Sequence, residues 1–345
     1  MARRARGWRL VVVALLPTVL LLAVGEIAAR IVYARQGGMR YLFVPYGFEG
    51  RYPYPVGRVH VAFDTCSQRT LTRTSNASKA RGGDWPVAKT PGRLRIHVTG
   101  GSSTFGLNSP DDATWPVFLE RALRARFGRD VEVLNAGRPA QRIEMIRATL
   151  MTELPRYRPD VVIYYEGYNN IFNAAVTRLH DRHPLVSTLY YRSMLYTYVV
   201  EKVSLRLGRW EDAYLHEKRL FRTEVDALLR LVRAHDARPV FVLQVTRQAP
   251  DPALATLDVD DDDAVVSFVR RHASDAGSLR AYQAQVLIEI VRRAGQAAGV
   301  TVVDPRDAFV GRPAETLFCD EIHLTDAGNA LLAETVAARF DPWAR

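Results

Sequence analysis

The sequence predicts an α/β protein with a parallel sheet of about five strands between layers of helices. Short, nearly continuous apolar runs recur after Arg93, and segments with helical periodicity separate them. Apolar runs of this kind are typical of strands buried on both faces, and regular alternation of strands and helices is typical of a parallel sheet. The predicted strands are 94–98, 131–134, 161–165, 240–245 and 300–303. The predicted helices are 115–127, 142–154, 220–235, 279–298 and 325–340.

Length and composition allow one catalytic domain. The chain has 345 residues, of which 48% are hydrophobic. Such a chain can bury a complete α/β core, but it is too short for two large domains once an N-terminal segment is set aside. We expect an N-terminal hydrophobic segment at 1–35, a linker and extension at 36–92, and a catalytic domain at 93–345.

The formal net charge of +10 does not indicate a nucleic-acid partner. The arginines are scattered along the predicted helices among Asp and Glu, and the sequence carries no recognised nucleic-acid-binding motif. A solvated basic surface together with a basic N-terminal tail accounts for the charge. We therefore expect no nucleic-acid partner, and the sequence leaves the oligomeric state open.

The N-terminus has the pattern of a membrane-targeting segment. Four arginines precede an uncharged run at 10–25 that is rich in Leu and Val. This run is shorter than the ~20 residues that span a bilayer, but the apolar residues after Glu26 extend it. A signal anchor is predicted. Small residues around Ala23 and Gly25 also fit cleavage by a signal peptidase, so a secreted protein is the alternative. The arginines are Arg3, Arg4, Arg6 and Arg9.

Both alternatives place the rest of the chain outside the cytoplasm. Arginines before a hydrophobic segment hold that flank on the cytoplasmic side, so everything after about residue 35 is exported to the periplasm or beyond. The two cysteines, Cys66 and Cys319, suit an oxidising compartment. The sequence leaves open whether they form a disulfide or remain two buried thiols, since their separation along the chain says nothing about their distance in space.

Two regions have weaker patterns. The stretch 36–91 is rich in Gly, Pro, Tyr and Arg and is interpreted as a linker that packs on the main domain, with alternation at 59–63 that fits a short edge strand. The stretch 171–219 follows the third predicted strand of the sheet and carries clusters of Tyr and Leu. We interpret it as a helical insertion that forms a wall of the substrate site or simply packs.

Polar residues recur where the predicted strands end. Ser102 follows the first strand within Gly100-Gly101-Ser102-Ser103, Gly137 follows the second strand, and Asn169 follows the third. Asp320 and His323 come after the fifth strand and just before the last helix. In an open parallel sheet the loops at the carboxyl ends of the strands converge on one edge, so these residues are expected to line one cleft.

These residue types suit acyl transfer. Ser102 would supply the nucleophilic hydroxyl and His323 would take its proton. Asp320 would accept the other imidazole N–H and fix the tautomer. The developing oxyanion would be met by the backbone N–H groups of Ser102 and Gly137 and by the side-chain amide of Asn169. Each motif is weak alone, and their joint occurrence at successive strand ends carries the hypothesis.

With these four blocks the chain resembles the SGNH or G-D-S-L family of esterases and lipases. The family is named for a Ser, Gly, Asn and His, which match Ser102, Gly137, Asn169 and His323 in order, over about 94–340. The resemblance implies a three-layer, flavodoxin-like α/β/α fold, a serine esterase mechanism, and neither a metal nor an organic cofactor. The absence of a His-Glu-x-x-His or paired-Cys motif also makes a metal site unexpected.

The chain departs from the family pattern at two positions. The first block commonly contains G-D-S where this chain has Gly100-Gly101-Ser102. The third block commonly contains G-x-N-D where this chain has Gly167 and Asn169 followed by Asn170. An aspartate there would order the loop, so its replacement by Asn170 bears on the geometry of the loop that carries Asn169.

The interpretation that the sequence favours is an exported, membrane-anchored serine esterase acting on O-acyl esters, above all O-acetyl esters, of an envelope or extracellular carbohydrate. An O-acyltransferase that passes the same acyl group to a sugar hydroxyl is one alternative. A lipase or lysophospholipase is another. A catalytically silent envelope scaffold or polysaccharide-binding protein is the alternative outside enzymology. The sequence identifies neither the acyl group nor the alcohol of the ester, and substrate class rests on location and on the habits of the family.

Overall fold

The computed structural model describes residues 2–37, 42–43, 57–64, 66, 69–171, 185, 189, 192–199, 210–274 and 276–344. The chain divides into two compact units. Residues 1–53 and 173–213 form one unit, and residues 54–172 and 214–345 form the other. All the predicted site residues lie in the second unit. The predicted division at residues 35 and 92 stays a prediction.

The second unit is built on a five-stranded parallel sheet, which confirms the predicted fold class. Its strands are β3 (Leu94–Gly100), β4 (Val131–Asn135), β5 (Val161–Tyr165), β6 (Arg238–Val242) and β7 (Thr301–Val303), preceded by a two-stranded hairpin of β1 (Gly57–Asp64) and β2 (Arg69–Ser75). The order across the sheet is β4-β3-β5-β6-β7, and every neighbouring pair is parallel. All five strands lie at the predicted places, with their ends shifted by up to three residues.

The helices are α1 (Ala2–Gly37), α2 (Ser102–Phe105), α3 (Trp115–Phe127), α4 (Ile143–Tyr157), α5 (Trp210–Ala234), α6 (Asp262–His272), α7 (Ala276–Ala297), α8 (Ala314–Leu317) and α9 (Asp326–Arg339). Four of the five predicted helices, which are α3, α4, α7 and α9, begin and end within three residues of the prediction, whereas α5 begins ten residues before its predicted start. The helices α2, α6 and α8 were not predicted. Short 3₁₀ turns lie at Asn169–Ile171, Pro252–Ala255 and Arg306–Phe309.

Helices cover both faces of the sheet. Alternate strand residues such as Ile96, Ile163 and Val240 share one apolar core with buried residues of α3 and α9, among them Trp115 and Leu332. Successive side chains of a strand point to opposite faces of the sheet, so the strand residues next to these three face the other layer of helices. There His97 contacts Glu153 of α4, and Gly295 of α7 lies against Phe241. This three-layer arrangement explains why β5, which is buried along its whole length, is apolar throughout.

The strand order places a crevice beside β3. The next strand in sequence, β4, pairs on one side of β3, whereas β5, β6 and β7 follow on the other. The connection after β3 therefore leads to one side of the sheet and the connection after β5 leads to the other, and ligands of open α/β sheets bind outside such a point. Ser102 lies two residues beyond the end of β3, so the topology itself brings the predicted nucleophile to this crevice.

The region interpreted as a linker contains the hairpin of β1 and β2. Its strands pair antiparallel from Gly57 with Ser75 to Asp64 with Arg69. Cys66, in the turn, forms a disulfide with Cys319, and their Cα atoms are 5.1 Å apart. Of the two possibilities that the sequence left open, the structure therefore has the disulfide and not two free thiols. It ties this hairpin to the loop that carries Asp320 and His323.

The first unit contains helix α1. Within it, Leu15–Val32 is long and apolar enough to cross a membrane, with a mean hydropathy of 2.0, and its large apolar side chains are mostly exposed. The segment fits the predicted signal anchor or signal peptide by length and composition. In the insertion at 171–219, residues 194–199 are helical and α5 begins at Trp210, whereas 172–184 and 200–209 lie outside the described residues.

Candidate active site

The predicted nucleophile lies at the first position of helix α2, directly after β3. Gly100 ends the strand, Gly101 caps the helix, and the Ser102 residue is 7% exposed. Side chains at these two glycine positions would not fit. A Cβ on Gly100 would lie 2.3 Å from the Tyr165 carbonyl oxygen, and a Cβ on Gly101 would lie 2.2 Å from a carboxylate oxygen of Glu166. The glycine pair therefore lets this turn pack against the loop after β5.

His323 and Asp320 reach Ser102 from the loop before α9. His323 Nε2 lies 2.7 Å from Ser102 Oγ, and His323 Nδ1 lies 2.6 Å from Asp320 Oδ2. A carboxylate only accepts hydrogen bonds, so the Nδ1 proton is directed at Asp320 and Nε2 is left to accept from the serine hydroxyl. The three side chains form a continuous relay in which the histidine is held ready to take the serine proton.

The carboxylate of Asp320 is kept ionised by its own loop. Its Oδ1 accepts backbone N–H groups from Ile322 and His323 at 2.9 and 2.8 Å. Burial acts to raise the pKa of Asp320, but the hydrogen bonds and charge of His323, together with these two N–H groups, outweigh it and the pKa lies below its usual value. An ionised carboxylate at this distance would stabilise a protonated His323 imidazole.

Ser103, the second serine of the turn, points elsewhere. Its hydroxyl donates to the backbone carbonyl of Ile322 at 3.1 Å and accepts from Gln244 Nε2 at 3.3 Å. It thus connects α2 to the loop between Asp320 and His323. In this geometry Ser103 supports the position of the histidine loop, and Ser102 is the serine that contacts the His323 side chain.

The first predicted oxyanion donor, the backbone N–H of Ser102, makes no hydrogen bond to another described residue. This N–H lies at the start of α2, where no preceding helical turn supplies an acceptor. An unpaired N–H next to the nucleophile is what an oxyanion site requires, because the donor costs nothing to free when charge develops on the substrate.

The second predicted donor, the N–H of Gly137, is occupied in this structure. It donates to Asn135 Oδ1 at 3.1 Å, so it would have to share or leave this bond to serve an oxyanion. The glycine is required for another reason. A Cβ there would lie 2.2 Å from the backbone nitrogen of Phe105 and 2.6 Å from the carbonyl carbon of Thr104. Gly137 thus allows the loop after β4 to pack directly on the helix that carries the nucleophile.

The third predicted donor, the amide of Asn169, lies in the 3₁₀ turn after β5 and is 9% exposed. Its Nδ2 donates to the Gln141 carbonyl at 2.9 Å and to Glu166 Oε2 at 3.3 Å. The second contact is long for a hydrogen bond to a carboxylate. It is therefore the N–H that the amide can most easily redirect towards substrate.

Glu166 is the residue of this site that the sequence interpretation missed. It is 2% exposed, and its Oε1 accepts the backbone N–H groups of Gly167, Tyr168 and Asn169 at 3.1, 2.9 and 2.9 Å. Its Oε2 accepts the N–H of Gly101 at 3.0 Å. Burial raises the pKa of Glu166 above its usual value, although these four N–H groups act in the opposite direction. The signal in the sequence that could have pointed to Glu166 is an acidic residue directly after an apolar strand.

Asn170, which replaces the usual family aspartate, still orders its loop. Its Oδ1 accepts the backbone N–H of Ile143, the first residue of α4, at 3.0 Å, and its Nδ2 contacts Glu144 at 3.3 Å. An amide oxygen can accept the N–H that a carboxylate would accept. The replacement therefore keeps the connection between the loop after β5 and helix α4.

A buried ionic cluster supports the loop that contains Gly137. Arg138 pairs with Glu153, which also contacts His97 Nε2 at 2.9 Å, and all three residues are less than a tenth exposed. Arg138 also donates its backbone N–H to the Gly100 carbonyl at 3.0 Å. Burial acts to raise the pKa of Glu153, but His97 and Arg138 outweigh it and lower the pKa below its usual value.

Among the described residues, no group of three or more His, Cys, Asp or Glu side chains is arranged to hold a metal ion.

Comparisons with known proteins identify the sequence pattern. The model of the GDSL-like lipase/acylhydrolase family matches residues 98–331, about two thirds of the chain. No curated protein matches the sequence. Similar solved structures include an α/β hydrolase from the metagenome of Lake Arreo, with 17% identity, a TM-score of 0.45 and coverage of 71% of this chain and 94% of that chain.

Two further structures are similar. A lipase/acylhydrolase from Enterococcus faecalis has 18% identity and a TM-score of 0.41, with coverage of 73% of this chain and 100% of that chain. An acetylxylan esterase from Geobacillus stearothermophilus has 13% identity and a TM-score of 0.45, with coverage of 72% and 95% respectively.

Proposed function

Because the chain belongs to the GDSL-like lipase/acylhydrolase family and is a serine esterase of this type, we propose that Ser102, His323 and Asp320 form its catalytic triad. The observation that supports the proposal most directly is the distance of 2.7 Å between His323 Nε2 and Ser102 Oγ. A base within this distance of a hydroxyl can take its proton as the oxygen attacks.

The reaction proceeds in two halves. Ser102 Oγ attacks the ester carbonyl while its proton passes to His323, and the resulting imidazolium is stabilised by Asp320. The carbonyl oxygen becomes an oxyanion, which is met by the N–H of Ser102 and by the amide of Asn169, with Gly137 as the third donor. Collapse of this intermediate expels the alcohol, which takes the proton from His323, and leaves an acyl-serine. Water activated by His323 then releases the acid and restores the serine.

We further propose that the substrate is an O-acyl ester, specifically an O-acetyl ester, of a carbohydrate outside the cytoplasm. The support for this substrate class comes from the compartment in which the protein is expected to lie. The Leu15–Val32 helix after an arginine-rich flank fits a signal anchor, with secretion after cleavage as the alternative. The disulfide between Cys66 and Cys319 fits an oxidising compartment. An exported esterase meets the acylated glycans of the envelope.

A substrate panel tests the activity and the substrate class together. The purified protein is offered acetylated sugars and acyl esters of increasing chain length, with Ser102→Ala as the control. We expect turnover of acetyl esters that is lost in the control, with kcat/KM falling as the acyl chain lengthens. Preference for long acyl chains would instead favour a lipase. Mass analysis of the products separates hydrolysis from transfer of the acyl group to a second sugar.

A reporter fusion tests the compartment. A reporter that is active only outside the cytoplasm, fused after Arg345, is expected to give signal, whereas one active only in the cytoplasm is expected to be silent. The opposite pattern would remove the support for an envelope substrate. The roles proposed for Ser102, Asp320 and His323 would be unaffected, because they depend on the geometry of the cleft.

A further inference from the structure

We infer that Glu166 is a positioning residue that sets the distance between two of the oxyanion donors of the esterase, the N–H of Ser102 and the amide of Asn169. The inference rests on the proposed function, since it assumes that these groups meet the oxyanion. Glu166 belongs to none of the four family blocks, and its carboxylate does not contact the Ser102 or His323 side chains in any hydrogen bond that the structure describes.

The two oxygens of Glu166 have different tasks. Oε1 collects the N–H groups of Gly167, Tyr168 and Asn169, and so it fixes the turn after β5 on itself. Oε2 accepts the N–H of Gly101, at 3.0 Å, and the Asn169 amide, at 3.3 Å. The second oxygen therefore bridges two different loops, one that ends at the nucleophile and one that carries Asn169.

This bridge determines where the donors lie. Gly101 directly precedes Ser102, so the hydrogen bond to the Gly101 N–H holds the peptide next to the one that carries the Ser102 N–H. Asn169 is held from the other side by the Gln141 carbonyl at 2.9 Å. An oxyanion site depends on donors held in place before charge develops, and an error of about 1 Å in such a site can cost about 10²-fold in rate.

The space around the carboxylate is closed. A Cβ on Gly101 would lie 2.2 Å from Glu166 Oε2 and 2.4 Å from Asn169 Nδ2, so Gly101, Glu166 and Asn169 are packed at van der Waals contact. The carboxylate oxygen is therefore the acceptor that lies directly against the Gly101 backbone, at 3.0 Å from its nitrogen. The bridge consequently needs a side chain with two acceptors at this position.

Glu166→Gln separates the two tasks. A glutamine has one acceptor oxygen, and three backbone N–H groups compete for it at the Oε1 position. Its amide group then faces the Gly101 N–H and the Asn169 amide, so that donors face donors. The variant keeps the turn after β5 and breaks the bridge to Gly101. Glu166→Asp keeps the charge but shortens the side chain, and it serves if the glutamine variant does not fold.

The matched control is Glu289→Gln. Glu289 is also 2% exposed, lies in α7, and is paired with Arg292 and Arg293 of the same helix. Loss of its charge removes a buried ion pair whose hydrogen bonds, among the described residues, go to Arg292 and Arg293 and not to Ser102, Asn169 or His323. We expect this control to lower stability without changing kcat, which calibrates how far loss of a buried carboxylate alone affects the assay.

The experiment measures hydrolysis of p-nitrophenyl acetate and labelling by a fluorophosphonate in the full chain. Wild type is first compared with Ser102→Ala. If these two do not differ, the proposed function fails and the inference falls with it. If they differ, Glu166→Gln is expected to lose about 10²-fold in kcat with KM within about twofold. The final fraction of Glu166→Gln protein that the fluorophosphonate labels should equal that of wild type, but the rate of labelling should be lower.

A double variant provides the decisive comparison. In the Asn169→Ala background, the fold-loss in kcat caused by Glu166→Gln should be at least tenfold smaller than in wild type. The reason is that the Asn169 amide, which Glu166 positions, is already absent. The inference is overturned if Glu166→Gln leaves kcat unchanged, or if it lowers only the labelled fraction, as unfolding would. It is also overturned if the fold-loss in kcat of the double variant is simply the product of the fold-losses of the two single variants.

Discussion

His323 lies with its Nε2 2.7 Å from Ser102 Oγ although 221 residues separate the two in the chain. Two features of the fold produce this contact. The strand order brings the turn after β3 to the crevice, and the loop before α9 returns the histidine to the same edge of the sheet. The backbone of this loop is fixed by Asp320, which accepts the N–H groups of Ile322 and His323.

Asn169→Ala is expected to lose about 10²–10³ in kcat with little change in KM, because a donor to the oxyanion acts mainly in the transition state. Asn169→Asp is expected to be worse. It would place a second carboxylate about where the amide now lies 3.3 Å from Glu166 Oε2, so two like charges would meet in a buried site. Steady-state kinetics of both variants checks this order. A change confined to KM would make Asn169 a substrate-binding residue.

Gly101→Ala is expected to lower kcat by about 10² or more, because the new methyl group would displace Glu166 and the Asn169 amide. Gly83→Ala is the matched control, since a Cβ at Gly83 would meet nothing within 4 Å and its backbone conformation suits any residue. Both variants are assayed with the same acetyl ester. Equal activities would show that the packing at Gly101 does not govern catalysis.

Glu153→Gln is expected to lower the free energy of unfolding at pH 7 by about 3–5 kcal/mol, because it leaves Arg138 without its buried partner. The pKa of Glu153 is lowered in the folded protein, so its charge stabilises the fold fully above the unfolded pKa of about 4.3. This contribution is lost as the pH falls through the folded pKa.

Urea unfolding of wild type and Glu153→Gln at several pH values tests this sign. The difference between the two proteins should be largest near neutral pH and should shrink below about pH 4.3. Glu315→Gln, an exposed position in α8, is the control and should unfold like wild type at each pH. A difference that grows towards acid pH would contradict the direction of the Glu153 shift.

The sheet and the order of the site residues could be predicted from sequence because both follow from local patterns. Strand β5 is an apolar run of five residues, strand β3 alternates apolar with polar residues, and Ser102 and Asn169 follow these strands within four residues. The hairpin of β1 and β2 was predicted only as a short edge strand. Its residues alternate weakly, and its pairing depends on a partner strand that the pattern does not single out.

Other details depend on contacts between distant residues and could not be predicted. In the acidic run at 258–263, Asp261 caps helix α6 and Asp262 pairs with Lys218 of α5. Glu166 follows a strand like any polar residue, and only the fold shows that its carboxylate receives the N–H of Gly101, 65 residues away. The disulfide between Cys66 and Cys319 was left open for the same reason.

The most direct test of the account is the site at which a fluorophosphonate binds covalently. We expect peptide mapping of the labelled full-length protein to find one adduct, on Ser102, because among the residues that the structure describes only this hydroxyl contacts the His323 side chain. Ser102→Ala should lose labelling and about 10⁴-fold in turnover, whereas Ser103→Ala, which loses only its contacts with Ile322 and Gln244, should keep labelling and most of its activity. An adduct on Ser103, or labelling that persists in Ser102→Ala, would contradict the assignment of the nucleophile.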